Sequence, residues 1–376
     1  MSDLGVGIIG CGNISEAYLK LGKLFRNLEI RAVADLNMDA ARARAEQFGV
    51  EALSVDALLA SDEIDIIVNL TIPDAHFSVT KRILEAGKHA FSEKPLVLTL
   101  EEGEILRSIS AEKNLRVGSA PDTILGGAHQ LARRRLDEGL VGKIIAGTCH
   151  VMSHGMETWH PNPDFFFLPG AGPILDIGPY YVANLINLIG PVKRVAALSS
   201  SGSETRTIGS GDRAGETVPV KTPTNIHALL EFETGATITL SASWDVWKHR
   251  HANMELYGEE GTIFVPDPNF FGGTVEFAGK DGEIKEVEGW DHALGVPNQE
   301  HKAGMMANYR TAGLADMAAA IVENRDHRCS LDRAVHAVDV MTSIIKSGET
   351  GTFIDLSTTC DRPAPLGPEE AQALLK

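Results

Sequence analysis

The sequence predicts an α/β fold in which a doubly wound parallel sheet is followed by a second α/β domain with a largely antiparallel, open sheet. Between Leu4 and about Leu140, short apolar runs alternate with amphipathic segments, the rhythm of βαβ units. After about Val141, longer segments rich in Val, Thr and Ile follow one another, as is typical of antiparallel strands. The 376 residues are enough for two domains, which we expect to span 1–121 and 122–376.

The first domain is expected to contain five strands with helices between them. The helical pattern is clear at 75–86, where Phe77, Thr80 and Ile83 recur at helical spacing and Gly87 follows as a stop signal. The expected strands are 5–10, 30–35, 65–70, His89–Ser92 and 115–120. Ligand crevices in such folds lie at the carboxyl ends of the strands, so the loops after these strands are the first place to look for a site.

The second domain is expected to contain six strands and two closing helices. Thr234 and Gly235 alone separate the third and fourth strands, which indicates a two-residue hairpin turn. Residues 200–217 are rich in Gly, Ser, Thr and charge and predict a surface loop. The expected strands are 143–151, 192–199, 228–233, 236–243, 253–258 and 261–265, and the expected helices are 303–323 and 331–346.

Composition and charge exclude several classes of partner. The formal net charge is −17, and no run of Lys and Arg is interleaved with aromatic residues, so nucleic acid is not an expected partner. No stretch approaches the roughly 18 apolar residues of a membrane helix, and the first apolar run lacks the features of a signal peptide. The four cysteines form no C-x-x-C pair and are interpreted as buried thiols. We therefore expect a cytoplasmic protein with no membrane partner.

A glycine-rich turn follows the first strand and precedes an amphipathic helix. It reads Gly10-Cys11-Gly12-Asn13-Ile14-Ser15. This is the G-x-G-x-x-G/A pattern with Ser15 in the last place, and such glycines let a pyrophosphate approach backbone N–H groups at a helix N-terminus. We therefore predict dinucleotide contacts at Gly10, Gly12, Asn13 and Ile14. A turn that binds no ligand is the alternative.

An acidic residue supports the dinucleotide interpretation. Asp35 ends the second strand, near the 20-residue offset at which a carboxylate accepts both hydroxyls of a ribose. The same carboxylate repels a 2′-phosphate, and no arginine follows in Leu36 or Asn37. The expected cofactor is therefore NAD, with NADP less favoured.

Lys94 is the first candidate for chemistry, because it lies just beyond the fourth strand, between Glu93 and Pro95. Oxidation of an alcohol needs a base within hydrogen-bond reach of the hydroxyl proton. A lysine serves if its pKa falls from about 10.4, and we expect burial beside a cationic nicotinamide to lower it. The alternative is a surface lysine after a strand.

A second cluster lies at 170–180. We expect one helix in which Asp176 and Tyr180, four residues apart, share a face with Asn184. A carboxylate and a phenol on one face suit the binding of a polyhydroxylated substrate. The alternative is a carboxylate at a helix N-terminus plus a half-buried tyrosine.

Further candidates are weaker. Trp159 could stack on a sugar face and His160 or Asn162 could bind hydroxyls, although simple loop packing explains them as well. Asp122 leaves the fifth strand at the crevice end and is a further candidate for a hydroxyl acceptor, whereas the segment 308–310 carries little weight. No metal site is expected, since His150, His154 and His160 lack ligand spacing, and no hydrolase nucleophile motif occurs.

Together, the glycine turn, Glu93-Lys94-Pro95 and Asp176-x-Gly-x-Tyr180 resemble the Gfo/Idh/MocA family of oxidoreductases over essentially the whole chain. The resemblance implies a Rossmann domain followed by an α/β domain whose open sheet supports a homodimer or homotetramer. It implies that Lys94 is the catalytic lysine, that Asp176 orients it and the substrate, and that position 180 holds the partner acid/base. It also implies that the loop containing Thr71, Pro73 and His76, together with Glu93 and Lys94, contacts the cofactor.

Position 180 narrows the expected substrate. Many members of the family have histidine there, whereas a tyrosine, as in Tyr180, resembles the branch that contains aldose dehydrogenases. Ala183 stands where the family often has an aspartate that is linked to cyclitol substrates. The resemblance therefore implies NAD-dependent oxidation of a carbohydrate, an aldose at its anomeric carbon, to a lactone. The alternatives are a dehydrogenase or reductase of polyols, cyclitols or keto-sugars, an NAD-dependent glycosidase, and a non-enzymatic NAD-binding regulator.

Overall fold

The computed structural model describes residues 3–301 and 304–376. Its first sheet has six parallel strands in the order β3-β2-β1-β4-β5-β6. The strands are β1 (Leu4–Ile9), β2 (Leu28–Ala34), β3 (Glu51–Leu53), β4 (Ile66–Asn69), β5 (His89–Ser92) and β6 (Val117–Ser119). The helices are α1 (Asn13–Leu21), α2 (Met38–Phe48), α3 (Val55–Ala60), α4 (Pro73–Glu85) and α5 (Leu100–Lys113).

The expectation of a doubly wound parallel sheet is confirmed, and its five expected strands differ from the observed ones by at most two residues at either end. The sequence missed the edge strand β3, because three residues between two helices carry too little periodicity to be recognised. The strand order reverses between β1 and β4, which opens a crevice at the carboxyl ends of these two strands.

The second sheet has nine strands in the order β16-β15-β14-β13-β7-β12-β11-β8-β19, and every neighbouring pair is antiparallel except β12 and β7. Its central strands are β7 (Ile144–Met152), β8 (Val192–Ser200), β11 (Asn225–Phe232), β12 (Thr237–Ser243), β13 (Met254–Gly258) and β14 (Thr262–Val265). The edge strands are β15 (Glu276–Ala278), β16 (Ile284–Glu286) and β19 (Ile354–Asp355), and they were not expected. The largely antiparallel character is confirmed. So is the hairpin at Gly235, whose φ is +87°.

Two short hairpins lie outside the sheets. One pairs β9 (Thr205–Thr207) with β10 (Thr217–Pro219), inside the segment that was expected to be a plain surface loop. The other pairs β17 (Gln299–His301) with β18 (Gly304–Met306). This second hairpin corrects the expected helix 303–323, which begins only at Ala312, while Ala303 lies outside the described residues.

The helices of the second half are α6 (Gly127–Asp137), α7 (Pro173–Asp176), α8 (Gly178–Ile189), α9 (Ala312–Glu323), α10 (Leu331–Thr350) and α11 (Pro368–Leu374). The single helix expected around Asp176 and Tyr180 is interrupted at Ile177, so that Asp176 ends α7 and Tyr180 lies in the first turn of α8. Every residue of α8 is buried. This helix is therefore a rigid support for Tyr180.

Helix α10 connects the two halves. It packs on α5 of the first half and on β8 of the second. Its buried Arg333 donates hydrogen bonds to the carbonyl oxygens of Ser119 (2.9 Å) and Pro121 (3.0 Å), where the chain leaves the first sheet. All four cysteines are buried and free, as expected. Among the described residues, none of the helices combines the length and apolar composition of a membrane span.

Candidate functional site

The glycine turn after β1 has the geometry of an anion-binding site. Gly10 has a φ of +105°, and a Cβ there would lie 2.6 Å from the Leu70 carbonyl oxygen, so only glycine fits. A Cβ on Gly12 would meet no atom within 4 Å, which leaves open space in front of α1. No side chain caps this helix. Its N-terminus therefore offers backbone N–H groups and a favourable dipole to a diphosphate.

Asp35 lies beside this turn at the carboxyl end of β2. Its Oδ2 accepts the Cys11 N–H at 2.7 Å and its Oδ1 accepts the Asn37 N–H at 2.8 Å. These bonds hold the carboxylate in one orientation and leave further lone pairs for ribose hydroxyls. The turn and Asp35 together fit the NAD cofactor that the sequence predicts.

The loop after β4 completes this side of the crevice. Thr71 donates from Oγ1 to Asn69 Oδ1 at 2.7 Å, and Pro73 begins α4. The ring nitrogens of His76 lie 2.6 Å from the Pro95 carbonyl oxygen and 2.9 Å from that of Thr71. His76 therefore ties this loop to the segment that carries Lys94.

Lys94 and Asp176 form an ion pair between the two halves of the molecule. Lys94 Nζ donates to the main-chain oxygen of Asp176 at 2.6 Å and to its Oδ1 at 3.2 Å. The two side chains are 18% and 22% exposed, so both remain reachable from the crevice. Nζ also lies 5.4 Å from the centre of the Tyr180 ring. The interruption at Ile177 thus brings Asp176 and Tyr180 to one ammonium group.

The expected lowering of the lysine pKa is wrong for the protein alone. Burial does lower the pKa of Lys94, but Tyr180, Asp176 and Glu93 together raise it, and the net result is a pKa above the ordinary value. The burial of Lys94 follows from its position in the sequence, but the three neighbours that favour its charged form come from distant parts of the chain or from the fold around it. At neutral pH the isolated site therefore holds a cation.

Glu93 is held by hydrogen bonds from α1 and from the backbone of the next residue. Tyr18, buried in α1, donates its hydroxyl to Glu93 Oε1 at 3.1 Å, and the Lys94 N–H donates to Oε2 at 3.2 Å. Burial and the charge of Glu93 raise the pKa of Tyr18 well above its ordinary value, which keeps it protonated as a donor.

Arg310 is the site residue that the sequence analysis undervalued. Its Nη2 donates to the Tyr180 hydroxyl at 3.3 Å and to Asn269 Oδ1 at 2.9 Å. Tyr180 is therefore flanked by two cations, Lys94 and Arg310. A cleft of about 460 Å³ brings these groups together, and it is lined by Ile14, Ala17, Thr71, Pro73, His76, Glu93, Lys94, Tyr180, Asn308 and Arg310. No sequence motif marks Arg310, which lies in a loop before α9.

Asp122 was expected to face the crevice, but its carboxylate is buried and binds the backbone at the start of α9. It is 3% exposed, and its Oδ2 accepts the backbone N–H groups of Thr311 (2.9 Å) and Gly313 (3.0 Å) at the start of α9. Burial raises the pKa of this carboxyl, although the two backbone hydrogen bonds oppose the shift. The substrate contact expected for Asp122 is thus replaced by a helix-capping interaction, because the chain folds α9 directly over it.

Trp159 and His160 are not among the residues that line the cleft. The Trp159 side chain is 62% exposed, its ring centre lies 5.5 Å from that of His160, and His160 packs edge-on against Phe165 and Phe166. Their contact with substrate stays a prediction. Two of the histidines that were not expected to bind a metal stack on other rings, His150 on His251 and His154 on Trp247. The part of the chain that the structure describes contains no cluster of three or more side chains suited to a metal.

Comparison with family models gives two matches. A model described as "Oxidoreductase family, NAD-binding Rossmann fold" matches residues 4–120, and one described as "GFO/IDH/MocA C-terminal domain" matches residues 129–264. These two regions include the glycine turn, Asp35, Lys94, Asp176 and Tyr180.

Two curated relatives are informative. Levoglucosan dehydrogenase of Pseudarthrobacter phenanthrenivorans is 27% identical over 292 residues, which cover 70% of this chain and 73% of the relative. Inositol 2-dehydrogenase of Rhizobium meliloti is 28% identical over 138 residues, 37% of this chain and 42% of the relative.

Solved structures share the fold along nearly the whole chain. Levoglucosan dehydrogenase in complex with NADH and levoglucosan superposes with a TM-score of 0.79 at 21% identity, covering 95% of this chain and 100% of the other. Aldose–aldose oxidoreductase from Caulobacter crescentus, complexed with glycerol, gives a TM-score of 0.74 at 20% identity and covers 94% and 100%.

Proposed function

The chain belongs to the GFO/IDH/MocA family of NAD-binding oxidoreductases, and from that premise we propose that it oxidises an aldose at the anomeric carbon to a lactone. The observation that supports this most directly is the Lys94–Asp176 ion pair beside Tyr180, which lies in the same cleft as the loop after β4. Carbohydrate names recur among the relatives, which supports a sugar as the substrate.

The proposed reaction removes two hydrogens from one carbon–oxygen unit. The C1–H bond breaks and its electron pair leaves with the hydride, the O–H bond of the C1 hydroxyl breaks and gives up a proton, and the electrons left on oxygen form the lactone carbonyl at C1. Bound NAD⁺ supplies the acceptor for the hydride. Lys94 Nζ, in its free-amine form, accepts the hydroxyl proton, and the Tyr180 hydroxyl relays or shares it.

Asp176 positions both the lysine and the substrate in this proposal. Its two oxygen contacts fix Lys94 Nζ on one side, and the carboxylate is still 22% exposed and can accept a substrate hydroxyl. Burial of Tyr180 in the first turn of α8 keeps the phenol from rotating away. The chain thus supplies orientation and a proton acceptor, both of which the reaction needs.

A substrate panel tests the proposal. Purified protein is mixed with NAD and with aldoses, polyols or cyclitols in turn, NADH is followed by its absorbance, and lactone is trapped with hydroxylamine. We expect NADH and lactone in equal amounts with one or more aldoses. NADH with only polyols or cyclitols would contradict the anomeric reaction, and hydrolysis of aryl glycosides without net NADH would indicate the glycosidase alternative.

A further inference from the structure

Arg310 is a cation in the cleft without an acidic partner. Its hydrogen bonds run to the Tyr180 hydroxyl and to the side-chain and main-chain oxygens of Asn269, none of which is a carboxylate. Across residues 3–301 and 304–376, no carboxylate oxygen lies within 4.0 Å of its guanidinium. This is unusual in a chain with a net charge of −17, in which acidic groups outnumber basic ones.

The two carboxylates that interact electrostatically with Arg310 are hydrogen-bonded to other groups. Glu93 accepts from the Tyr18 hydroxyl and the Lys94 N–H, and Asp122 accepts from two backbone N–H groups at the start of α9. Burial lowers the pKa of Arg310, but Tyr180, Asp122 and Glu93 together raise it above the ordinary value. The guanidinium is therefore charged, and its charge is not matched by a direct ion pair.

One edge of the guanidinium is available. All three hydrogen bonds of the Arg310 side chain come from Nη2, whereas Nε and Nη1 have no partner among the described residues and are not among the buried unpaired atoms. These N–H groups form the planar fork that binds carboxylate or phosphate oxygens with two parallel hydrogen bonds. Arg310 is half-buried, so water hydrates its charge only in part, and an anion that entered the cleft would be stabilised there by charge-assisted hydrogen bonds.

We propose that the sugar substrate carries an oxyanion, a carboxylate or a phosphate, which Arg310 binds through Nε and Nη1 while Nη2 holds Tyr180. Lys94 does not fill this role, because its ammonium is already paired with Asp176. The proposal rests on the proposed function, since the anionic group belongs to the sugar whose hydroxyl is oxidised. Arg310 then selects among sugars, and Lys94 acts on the one that is bound.

Matched sugars test the selection. The value of kcat/KM with NAD is measured for D-glucose, D-glucuronate and D-glucose 6-phosphate. The same measurement is made for D-galactose, D-galacturonate and D-galactose 6-phosphate. We expect an anionic sugar to exceed its neutral counterpart by about 10- to 100-fold, the worth of a charge-assisted hydrogen bond. The better anion shows whether carboxylate or phosphate is the natural group.

Two variants distinguish a loss of anion recognition from a general loss of activity. Arg310→Gln can still donate to Tyr180 but lacks the charged fork, so we expect the ratio of anionic to neutral kcat/KM to fall to near one. Because both sugars are measured with the same variant, a change in rate caused by the altered contact with Tyr180 affects both kcat/KM values and cancels in their ratio. Arg26→Gln, at an exposed site before the amino-terminal end of β2 and therefore away from the carboxyl ends where the cleft lies, removes the same charge and should keep the wild-type ratio.

Binding provides a readout that does not depend on turnover. Methyl β-D-glucuronide, which keeps the C6 carboxylate but has no free anomeric hydroxyl to oxidise, is titrated calorimetrically into the NADH-loaded protein, and Arg310→Gln should weaken its binding by about 10-fold or more. Equal or better kcat/KM for neutral sugars would overturn the Arg310 proposal and leave the proposed function intact. So would a raised KM for NAD in Arg310→Gln with an unchanged sugar ratio. If no sugar reduces NAD, the proposed function fails, and the methyl glucuronide titration alone decides the role of Arg310.

Discussion

Lys94 illustrates how neighbouring charges decide the chemistry of a single side chain. Burial alone would favour a neutral amine, but Tyr180, Asp176 and Glu93 more than compensate and raise its pKa. Below this raised pKa only a small fraction of the protein carries the free amine. The proposed base is therefore scarce at neutral pH and becomes more abundant as the pH rises.

We predict that the oxidation rate depends on this amine. In the wild-type protein, kcat/KM for oxidation should rise by about tenfold per pH unit between about pH 7 and about pH 9, as the free-amine fraction grows. Lys94→Ala should lower kcat by about 10²–10⁴ and remove the pH dependence. Steady-state rates over pH measure both effects. An unchanged circular dichroism spectrum is the control for correct folding, and wild-type turnover in Lys94→Ala would refute the role of this lysine.

Asp35 gives a second prediction at the residue scale. Its carboxylate should repel a 2′-phosphate, so kcat/KM should be higher with NAD than with NADP. Asp35→Asn keeps an acceptor for the Cys11 N–H but loses the charge, and we expect it to narrow the preference by about tenfold or more. Kinetics with both cofactors measure the change. A wild-type preference for NADP would contradict this interpretation.

At the scale of elements, the junction between α7 and α8 positions the site. A continuous helix through 173–189 would place Asp176 and Tyr180 on one face, as the sequence analysis expected. The structure ends α7 at Asp176 and starts α8 at Gly178, with Pro179 in its first turn. Proline lacks the N–H that a continuous helix would use, which accounts for a new helix start here. Both side chains nevertheless reach Lys94.

The start of α9 depends on Asp122 from a different element. Thr311, the residue before α9, has a φ of +119° and does not cap the helix with its own side chain. The Asp122 carboxylate therefore accepts the N–H groups that have no partner within the helix. Thr311 directly follows Arg310. This cap therefore also supports the position of the proposed anion-binding residue.

We predict that this cap contributes measurably to stability. Asp122→Ala leaves two buried N–H groups without an acceptor and should lower the free energy of unfolding by about 2–4 kcal/mol. Asp122→Asn keeps an amide oxygen and should lose less. Urea denaturation of the three proteins measures the difference. Equal stability of the alanine variant and the wild type would show that these hydrogen bonds contribute nothing.

At the scale of the whole molecule, one face of the second sheet is left open. The helices α8 and α10 cover one side, whereas Leu198 of β8, Leu229 of β11 and Phe353 beside β19 are exposed on the other, by 75%, 48% and 68%. Contiguous apolar side chains on an open sheet are typical of a protein interface. The family resemblance points to a second copy of this chain as the occupant.

We predict a homodimer or homotetramer that forms through this face. Light scattering should give a mass of two or four chains, and Leu198→Glu, which buries a charge in the interface, should shift the protein to monomers at micromolar concentration. Ile105→Glu, an exposed apolar position on α5 in the first half of the chain, is the matched control and should leave the mass unchanged. A monomeric wild-type protein would contradict the prediction.

The sequence by itself determined the fold class and the glycine turn, and it indicated Lys94 as a candidate by its position after the fourth strand and by the family resemblance. The fold class and the turn depend on contiguous residues, either the period of apolar side chains or glycine where no Cβ fits. Only the tertiary structure decided which partners surround them. Arg310 meets Tyr180 across 130 positions and Asp122 meets Thr311 across 189, and no local pattern encodes such pairs. The chain path brings them together, and with them the charge balance that sets the state of Lys94 and leaves Arg310 without a counter-ion.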